Sequence, residues 1–553
     1  MPDNGPLSHW KELPALARRT LVRGSVGRDH LVGLAAGLLP LAAAGDAATR
    51  ARLAALVQEL LAAAWTANPL DGDLAKLLAG QPLPGWPRLP QALDDLLKAQ
   101  ANFWRPPADQ DPWWAMADQE QRRAELAARL DAEPRNLFWK AEAWSRAWLR
   151  ADWELAELAL RPESWPRTLT PIRQLVLAQF QLARGEAEEA LLTLDGPDGL
   201  GGFFPGGSPG LRAQCLLRLG RAAEAVDLLA AAVFRSPWRT SELLRLTDLA
   251  SGAAAEVKAV PGSVAVLLYT WNKARELHET LGSLAASDLQ GARLWVLDNG
   301  SADETPQVLA AWHERLGQRL SSLRLPVNIG APAARNWLLS LPEVRGHDYL
   351  CFLDDDVSLP GDWLGRLGSA VARFPAAAVW GCRVVDEANA LLVQSVDYVP
   401  HAPRSQRDLS QLLALPTLHL GQPDLGQFTY LRPCVSVTGC CHLLREADID
   451  KTGGFDIRFS PSQYDDLERD LRVFLGGGLV VYQGHLAVRH KRRSGAVAEL
   501  KPAEIGSALA NVRKLEAKHG EETLARISAE GEALLERDME RRFRSLAALR
   551  PGG

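Results

Sequence analysis

The stretch VAVLLYT, residues Val264–Thr270, decides the fold because it begins a series of apolar runs. The second run is Leu294–Leu297 and the third is Tyr349–Leu353, with a helical pattern through Leu284 between the first two. Uninterrupted apolar runs with β-branched residues are typical of strands buried on both faces. Because these runs alternate with helical patterns, the sequence predicts an α/β domain with a mainly parallel sheet.

Polar residues follow two of these strands where each strand ends. Leu294–Leu297 is followed by Asp298-Asn299-Gly300-Ser301, and Tyr349–Leu353 is followed by three aspartates. Open α/β sheets bind ligands at the carboxyl ends of their strands. Asp298 could therefore accept hydrogen bonds from a base or ribose, whereas Ser301 or Asp303 could be plain helix caps.

The three aspartates are Asp354, Asp355 and Asp356. Adjacent carboxylates repel one another, and a divalent cation such as Mg²⁺ or Mn²⁺ relieves that repulsion while bridging to a diphosphate. In an extended segment Asp354 and Asp356 share one face and Asp355 takes the other. The alternative is a solvated acidic turn, but the position directly after an apolar strand favours the metal.

Five segments in this order and spacing resemble a family-2 glycosyltransferase with the GT-A fold. The resemblance covers roughly Val264 to Arg493, under half of the chain. The segments are VAVLLYTWNKARELHETLGSL, LWVLDNGSADET, NIGAPAARN, YLCFLDDDVSLPGDWL and VTGCCHLLREADIDKTGGFDIRFSPSQYDDLERDLR.

The resemblance implies a nucleotide-sugar site and a metal site. Asp354 and Asp356 match the DxD pair, and His490 matches a late metal-contacting or diphosphate-contacting histidine, with His485 as its competitor. Around the diphosphate, a basic loop of Arg489, Lys491, Arg492 and Arg493 could close, or it could be a solvated surface. The implied nucleotide-sugar contacts are Thr270, Asn272, Asp298, Asn328, Gly330, Arg335, Asn336, Asp354 and Asp355.

The pair Asp465-Asp466 stands where this family usually has Glu-Asp. The resemblance makes Asp466 the general base that deprotonates an acceptor hydroxyl, a role that suits a carboxylate whose pKa a neighbouring carboxylate raises. Because Asp465 has a shorter side chain than Glu, the division of labour between the two stays open. Aspartates at a helix N-terminus also favour the macrodipole, so a structural role is compatible.

The sequence before Ala255 is helical and rich in Trp. The pattern G-x-x-x-E-A occurs at Gly185 and again at Gly220, a 35-residue offset close to that of tetratricopeptide repeats; a generic helical bundle is the alternative. Twelve of 18 Trp lie in this zone, either as core or as a sugar-stacking acceptor surface. The predicted domains are helical 1–105, tetratricopeptide-like 106–255, GT-A 256–500 and a helical extension 501–553.

Composition excludes several classes of protein. Of 553 residues 47% are hydrophobic, and the net charge of −5 argues against a nucleic-acid binder. Six Cys without a CxxC pair predict reduced thiols. No apolar run reaches the ~18–20 residues of a membrane span, and the run Leu31–Ala44 is interpreted as a core helix rather than a signal peptide. The expected location is cytoplasmic, with peripheral binding at the inner membrane left open.

Together these patterns predict a metal-dependent inverting glycosyltransferase of the hexosyltransferase type. It would move a sugar from a UDP- or dTDP-sugar donor to a saccharide, lipid-linked or protein acceptor, in bacterial surface polysaccharide or protein glycosylation, with Mn²⁺ or Mg²⁺ as cofactor. The helical region could recruit a protein partner. One alternative is a nucleotidyltransferase, although YTWNKARE lacks the expected Gly-rich loop; the other is a helical-repeat scaffold with a vestigial transferase domain.

Overall fold

The structure is a computed structural model that describes residues 6–80, 85–196, 208–401, 414–415, 418–492 and 502–546. The chain forms two compact units. The helical unit comprises Met1–Leu246, Gly421–Gln427 and Phe543–Gly553. The sheet unit comprises Thr247–Leu420 and Phe428–Arg542. The finer division into four domains stays a prediction.

The N-terminal part of the chain is mainly helical over its described residues. Gly185 and Gly220 adopt positive φ, 88° and 74°, in the turns between paired helices, as their place in the repeated motif predicts. The tetratricopeptide resemblance itself stays a prediction. The helices are α1 (Pro6–Glu12), α2 (Ala15–Leu21), α3 (Arg28–Ala44), α4 (Ala47–Ala67), α5 (Gly72–Ala79), α6 (Gln91–Phe103), α7 (Gln119–Ala132), α8 (Leu137–Arg150), α9 (Trp153–Leu160), α10 (Thr170–Ala183), α11 (Ala187–Asp195), α12 (Pro209–Arg218), α13 (Ala222–Arg235) and α14 (Thr240–Ala250).

Tryptophans form much of the core of the helical unit. Trp113 and Trp139 meet edge to face with ring centroids 5.3 Å apart, and the Arg129 guanidinium lies 4.9 Å from the Trp139 ring centre. Trp114 is an exception at 48% exposed. The Trp-rich stretch is therefore mainly core. The buried tryptophans of this unit are Trp10, Trp65, Trp86, Trp113, Trp139, Trp144, Trp148, Trp165 and Trp238.

The apolar run Leu31–Ala44 belongs to α3, which buries Leu31, Leu34 and Leu38. This agrees with its interpretation as a core helix. Among the helices that the structure describes, none combines the length and apolar character needed to cross a membrane.

Lys140 gives the helical unit a pH-dependent stability. Its buried ammonium donates to the Ala159 carbonyl at 2.9 Å and to Ser164 Oγ at 2.7 Å, and burial lowers its pKa to about 7. At pH values between this pKa and the higher pKa of the lysine in the unfolded chain, the unfolded state binds more protons than the folded state. The free energy of unfolding therefore rises with pH in this range. We expect the urea midpoint to increase between pH 7 and pH 10. Lys140→Met should show a smaller increase, and an identical pH response in both proteins would contradict the prediction.

The sheet unit contains a twisted sheet in the order β3-β2-β1-β4-β9-β6-β10-β5, with β7 paired to β6 and β8 paired to β10. Its strands are β1 (Val264–Thr270), β2 (Arg293–Asp298), β3 (Leu320–Arg324), β4 (Tyr349–Leu353), β5 (Val357–Ser358), β6 (Val379–Asp386), β7 (Val393–Ser395), β8 (Leu431–Cys434), β9 (Cys441–Arg445) and β10 (Val480–His490). The helices are α15 (Ala274–Ala286), α16 (Thr305–Leu316), α17 (Ala331–Leu339), α18 (Pro342–Arg345), α19 (Trp363–Arg373), α20 (Ile449–Thr452), α21 (Asp465–Leu475) and α22 (Pro502–Ser545).

Only part of this sheet is parallel. Strands β3, β2, β1 and β4 run parallel, as predicted, whereas β9 lies antiparallel between β4 and β6. Strands β6 and β10 are also parallel to each other, so the antiparallel β9 separates two parallel parts of the sheet. The sheet is thus a mixed α/β sheet whose parallel half carries the predicted strands.

Strand register gathers the predicted site residues at one edge. Thr270 and Asp298 are register partners at the ends of β1 and β2, and β4 ends beside them at Leu353. The short strand β5 pairs antiparallel with β10, which places His490 opposite Val357. The late histidine therefore lies next to the acidic segment that precedes β5.

The C-terminal helix α22 has a break at Gly520, where φ is 72°. Near its end, the buried Arg542 donates to Asp248 at 2.8 Å and to Asp538 at 2.8 Å, and also to the Leu431 carbonyl. Asp248 also pairs with His485 at 2.9 Å. Residues far apart in sequence thus form one buried ion network in the sheet unit.

Candidate active site

Two of the three aspartates after β4 contact a lysine ammonium. Lys273 Nζ lies 2.9 Å from Asp355 Oδ1 and 2.9 Å from Asp356 Oδ2. Burial lowers the pKa of Lys273, but the two carboxylates outweigh burial and hold that pKa above its ordinary value. Burial raises the pKa of Asp355 to about 6. Two of the three carboxylates of the acidic segment therefore share one cation of the protein itself.

His490 faces this segment through one ring nitrogen. Its Nε2 lies 3.1 Å from Asp356 Oδ1 and 3.8 Å from Asp354 Oδ2. On the other side Nδ1 is 2.8 Å from Gln394 Oε1, and Gln394 Nε2 donates to the Arg492 carbonyl at 3.1 Å. Because the Gln394 amide nitrogen faces a carbonyl, the Gln394 amide oxygen faces His490 and accepts the proton on Nδ1. Burial lowers the pKa of His490, but the contacts with Asp356 and Asp354 outweigh burial and raise it, so Nε2 also carries a proton toward the aspartates, in the place that a metal ion would take.

Potential metal ligands converge at this point. One atom each of Asp354, His490 and Cys440 lie within 4.8 Å of one another, and Asp356 contacts His490. Carboxylate oxygens and an imidazole nitrogen suit Mn²⁺ and Mg²⁺, with nitrogen favouring Mn²⁺. The competitor His485 pairs with Asp248 instead.

Arg335 connects the acidic segment to the Asp465-Asp466 pair. Its Nη1 lies 2.5 Å from Asp465 Oδ2 and its Nη2 lies 3.7 Å from Asp354 Oδ1. The guanidinium also lies 5.3 Å from the Tyr269 ring centre and 5.1 Å from that of Phe455. Burial lowers the pKa of Arg335, but the surrounding negative groups keep it above the ordinary value. Arg335 is thus a fixed buried cation.

We expect Arg335→Met to destabilise the protein by about 3–5 kcal/mol, because it leaves the buried Asp465 carboxylate unpaired. Arg335→Lys should be intermediate, since it keeps the charge but loses the planar two-sided contact. Arg324→Met, which removes a more exposed guanidinium near Asp298, is the control. Urea unfolding measures all three, and equal midpoints for Arg335→Met and wild type would refute the pairing.

Two cavities adjoin at the acidic segment. The first, about 250 Å³, is lined by Tyr269, Trp271, Lys273, Asn299, Asn328, Ala331, Asp354, Asp355, Asp356, Ser462, His490 and Arg492. The second, about 450 Å³, has Asp354, His490 and Arg492 in common with the first. Its other lining residues include Tyr398, His419, Thr438, Cys440, Tyr464 and Asp466.

Three predicted nucleotide contacts hold loops and do not line either cavity. Asn272 Oδ1 accepts the Ala302 N–H at 2.7 Å. Asp298 is fully buried; its Oδ1 accepts the Ser301 N–H at 2.8 Å, and its Oδ2 lies 3.3 Å from Arg324 Nε. The buried Thr270 accepts the Asn299 N–H at its carbonyl, at 2.8 Å. Asp298 therefore acts as a cap of the β2 turn, and its contact with a nucleotide stays a prediction.

The segment Asn328–Asn336 meets the first cavity at Asn328 and Ala331. Asn328 lines it and accepts from Asn299 Nδ2 at 2.9 Å. Gly330 has φ 83°, and a Cβ there would lie 3.0 Å from Ser460 Oγ, so glycine is required. Asn336 donates to the Phe455 carbonyl and accepts the Phe455 N–H, both at 2.7 Å. Asn336 and Gly330 thus position loops.

The predicted basic loop is brought to the site only in part. Arg492 lines both cavities and pairs with Glu504 at 2.6 Å. Lys491 pairs with Glu279 at 2.8 Å, and Arg489 donates weakly to the Glu387 carbonyl at 3.5 Å. Arg493 lies outside the described residues. The diphosphate role of this loop stays a prediction.

The aspartate pair at the start of α21 divides between two environments. Asp465 is buried against Arg335, and burial outweighs that cation to raise its pKa. Asp466 lines the second cavity; its Oδ2 accepts the Gly439 N–H at 2.6 Å and its Oδ1 accepts the Leu467 N–H at 2.8 Å. Of the two, Asp466 is the one that lines a cavity, and its role as general base stays a prediction.

Sequence reasoning missed Lys273, Asn299, Gln394 and Tyr398. Lys273 and Asn299 follow β1 and β2 directly, so the strand-end rule that singled out Asp298 could have found them. Gln394 and Tyr398 lie in or after β7, and no local pattern indicates that they reach His490 or the second cavity.

An acidic cluster and two adjoining cavities at the carboxyl edge of this sheet define a GT-A-like glycosyltransferase fold. Residues 265–451 match the family described as glycosyl transferase family 2. This part of the chain, about a third of its length, is therefore similar to glycosyltransferase family 2 domains. The match ends before Asp465, Asp466 and His490.

Known proteins resemble parts of the chain. The O-antigen biosynthesis protein RfbC of Myxococcus xanthus is 27% identical over 216 residues, covering 37% of this chain and only 16% of that protein's length. GalNAc-T7 with UDP, GalNAc and Mn²⁺ superposes with a TM-score of 0.36 at 13% identity, covering 52% of this chain and 59% of that one. S. aureus TarS 1–349 in complex with UDP-GlcNAc gives 0.32 at 17%, covering 48% and 71%.

Proposed function

We propose that the protein is a metal-dependent, inverting glycosyltransferase that uses a nucleotide-diphosphate sugar, a UDP- or dTDP-sugar, and an acceptor hydroxyl. The observation that carries the proposal is the shared wall of the two cavities, formed by Asp354, His490 and Arg492. A donor in the first cavity places its diphosphate against this wall. An acceptor in the second cavity then approaches from the other side.

The first cavity suits a nucleotide. It offers the exposed Trp271 ring for stacking, the amides of Asn299 and Asn328 for hydrogen bonds, and the Lys273 ammonium for the diphosphate. Trp271 is 50% exposed, so a base could cover one face of its indole. These groups combine the aromatic, polar and cationic contacts that a nucleoside diphosphate requires.

The acidic wall fits a divalent cation. Among the described residues, four carboxylates, Asp354, Asp355, Asp356 and Asp465, lie within 4 Å of the cations Lys273 or Arg335. Asp354, Asp356 and His490 would hold Mn²⁺ or Mg²⁺, with Gln394 fixing the imidazole. When bound, the cation neutralises charge that develops on the leaving diphosphate.

Asp466 is the proposed general base. It lines the cavity on the acceptor side, so it can accept the proton of the attacking hydroxyl while the sugar leaves the diphosphate on the other side. Attack from the side opposite the leaving group inverts the anomeric carbon. Asp465 instead pairs with Arg335, whose guanidinium also faces Asp354. This pairing fixes the position of Asp466 relative to the metal ligands.

The name of the RfbC relative supports a role in surface polysaccharide synthesis, with a saccharide, lipid-linked or protein acceptor. A cytoplasmic location, with peripheral binding at the inner membrane, belongs to the same proposal, as does recruitment of a protein partner through the helical unit.

The test is a panel of nucleotide sugars incubated with the protein and Mn²⁺, followed by detection of the released nucleoside diphosphate. We expect release from one or two UDP- or dTDP-sugars and its loss when EDTA is added. A panel without any release, in a protein that binds UDP and Mn²⁺, would contradict the proposed reaction.

A further inference from the structure

The loop that leads into Asp465 and Asp466 is held in an unfavourable backbone conformation. Gln463 and Tyr464 have φ values of 78° and 68°, a region that residues with a Cβ rarely occupy. Such a conformation persists only when surrounding contacts fix it. One contact is the Ala331 N–H, which donates to the Pro461 carbonyl at 2.8 Å.

Asn511, on α22, supplies further contacts to this loop. Its side chain is 1% exposed, and Nδ2 lies 3.2 Å from the Phe459 carbonyl oxygen, 2.9 Å from that of Ser462 and 3.0 Å from that of Gln463. Lys514 Nζ donates to Asn511 Oδ1 at 2.9 Å. The amide is thus oriented with its two N–H groups toward the loop.

Two lysines that follow Asn511 on α22 contact residues just before and just after this loop. Lys514 Nζ donates to the Arg458 carbonyl at 2.7 Å. Lys518, one turn further on, lies 2.7 Å from Asp456 Oδ2 and 2.5 Å from Glu468 Oε1. Because Glu468 is on α21, these contacts join the start of the loop and the helix that carries Asp466 to α22.

We propose that Asn511 is a positioning residue that sets the orientation of Asp466 through the loop Phe459–Tyr464. The inference rests on the proposed function of Asp466 as the general base. Asn511 does not line either cavity among the described residues, so it acts on catalysis only through the loop. The first half of α22 is then part of the catalytic apparatus.

The test compares Asn511→Ala with wild type in nucleoside diphosphate release from the active nucleotide sugar. We expect kcat to fall roughly 10- to 100-fold, because small displacements of a reacting group have effects of this size. The KM of the nucleotide sugar and the Kd of UDP with Mn²⁺ should change less than kcat does, since Ser462 is the one described residue of this loop that lines the first cavity, whereas Gln463 and Tyr464 line the second cavity together with Asp466. Hydrogen exchange should increase in residues 459–467. Arg513→Ala, on the exposed side of the same helix, is the matched control.

A double variant separates positioning from general support of the fold. Residues that act through one another are non-additive, so Asn511→Ala should cause no further loss in Asp466→Asn. The positioning role would be overturned if Asn511→Ala lowered kcat by the same factor in the Asp466→Asn background as in wild type. It would also be overturned if Asn511→Ala had the wild-type kcat. Should Asn511→Ala not fold, Asn511→Ser keeps one donor and should show a smaller loss of kcat, again absent in the Asp466→Asn background. Full activity of Asp466→Asn would instead overturn the proposed base, and the positioning role with it.

Discussion

Asp466→Asn is expected to lower the rate of sugar transfer by about 100- to 10,000-fold, the usual contribution of a general base. Asparagine has nearly the same shape but cannot take a proton from the acceptor. It still offers an oxygen to the Gly439 N–H, which Asp466 Oδ2 accepts at 2.6 Å. The measurement is nucleoside diphosphate release with acceptor, together with a thermal melt to show that the fold is intact.

The matched control is Asp450→Asn, because the Asp450 side chain is 84% exposed and belongs to the neighbouring helix α20. This control should transfer at the wild-type rate. Full transfer by Asp466→Asn would exclude Asp466 as the base and direct attention to Asp465, whose role would then have to be compatible with its Arg335 contact.

Asp356→Ala is expected to abolish transfer by removing a metal ligand. We expect the affinity for Mn²⁺ to fall about 100-fold or more, since even residues that only orient a ligand change affinity 10- to 100-fold. Titration calorimetry with Mn²⁺ measures this directly and does not depend on knowledge of the donor. Removal of the metal from wild type with EDTA should reproduce the loss of transfer.

Asp227→Ala is the control for this variant, because Asp227 is an exposed carboxylate in the helical unit. It should bind Mn²⁺ as wild type does. An Asp356→Ala protein with unchanged Mn²⁺ affinity would show that Asp354, Cys440 and His490 suffice as ligands, and would limit Asp356 to holding Lys273 and His490.

Local patterns are sufficient to predict the parallel half of the fold. The strands β1, β2 and β4 are apolar runs, and the residues directly after them are at the site because strand ends of a parallel sheet share an edge. The three aspartates follow from this rule. The rule also selected Asp298, which the structure uses for a turn, because sequence position does not fix the direction of a side chain.

The other half of the site depends on contacts that sequence patterns do not encode. His490 meets Asp356 only because β5, two residues long, pairs with β10. Arg335, predicted as a nucleotide contact, is buried in an ion pair with Asp465 across 130 residues. Pairings of this kind are set by tertiary packing, so the resemblance to a family could suggest the residues but not their partners.

The contacts of α22 have a consequence for biosynthesis. A nascent chain that has emerged as far as His490 already contains the proposed metal ligands and both aspartates of the 465–466 pair. It lacks Asn511 and Arg542, and Arg542 binds Asp248, 294 residues earlier. The contacts of Asn511 with the loop before Asp465 can therefore form only after α22 has left the ribosome. If Asn511 positions this loop as proposed, translation order delays the proposed transfer activity until α22 has emerged.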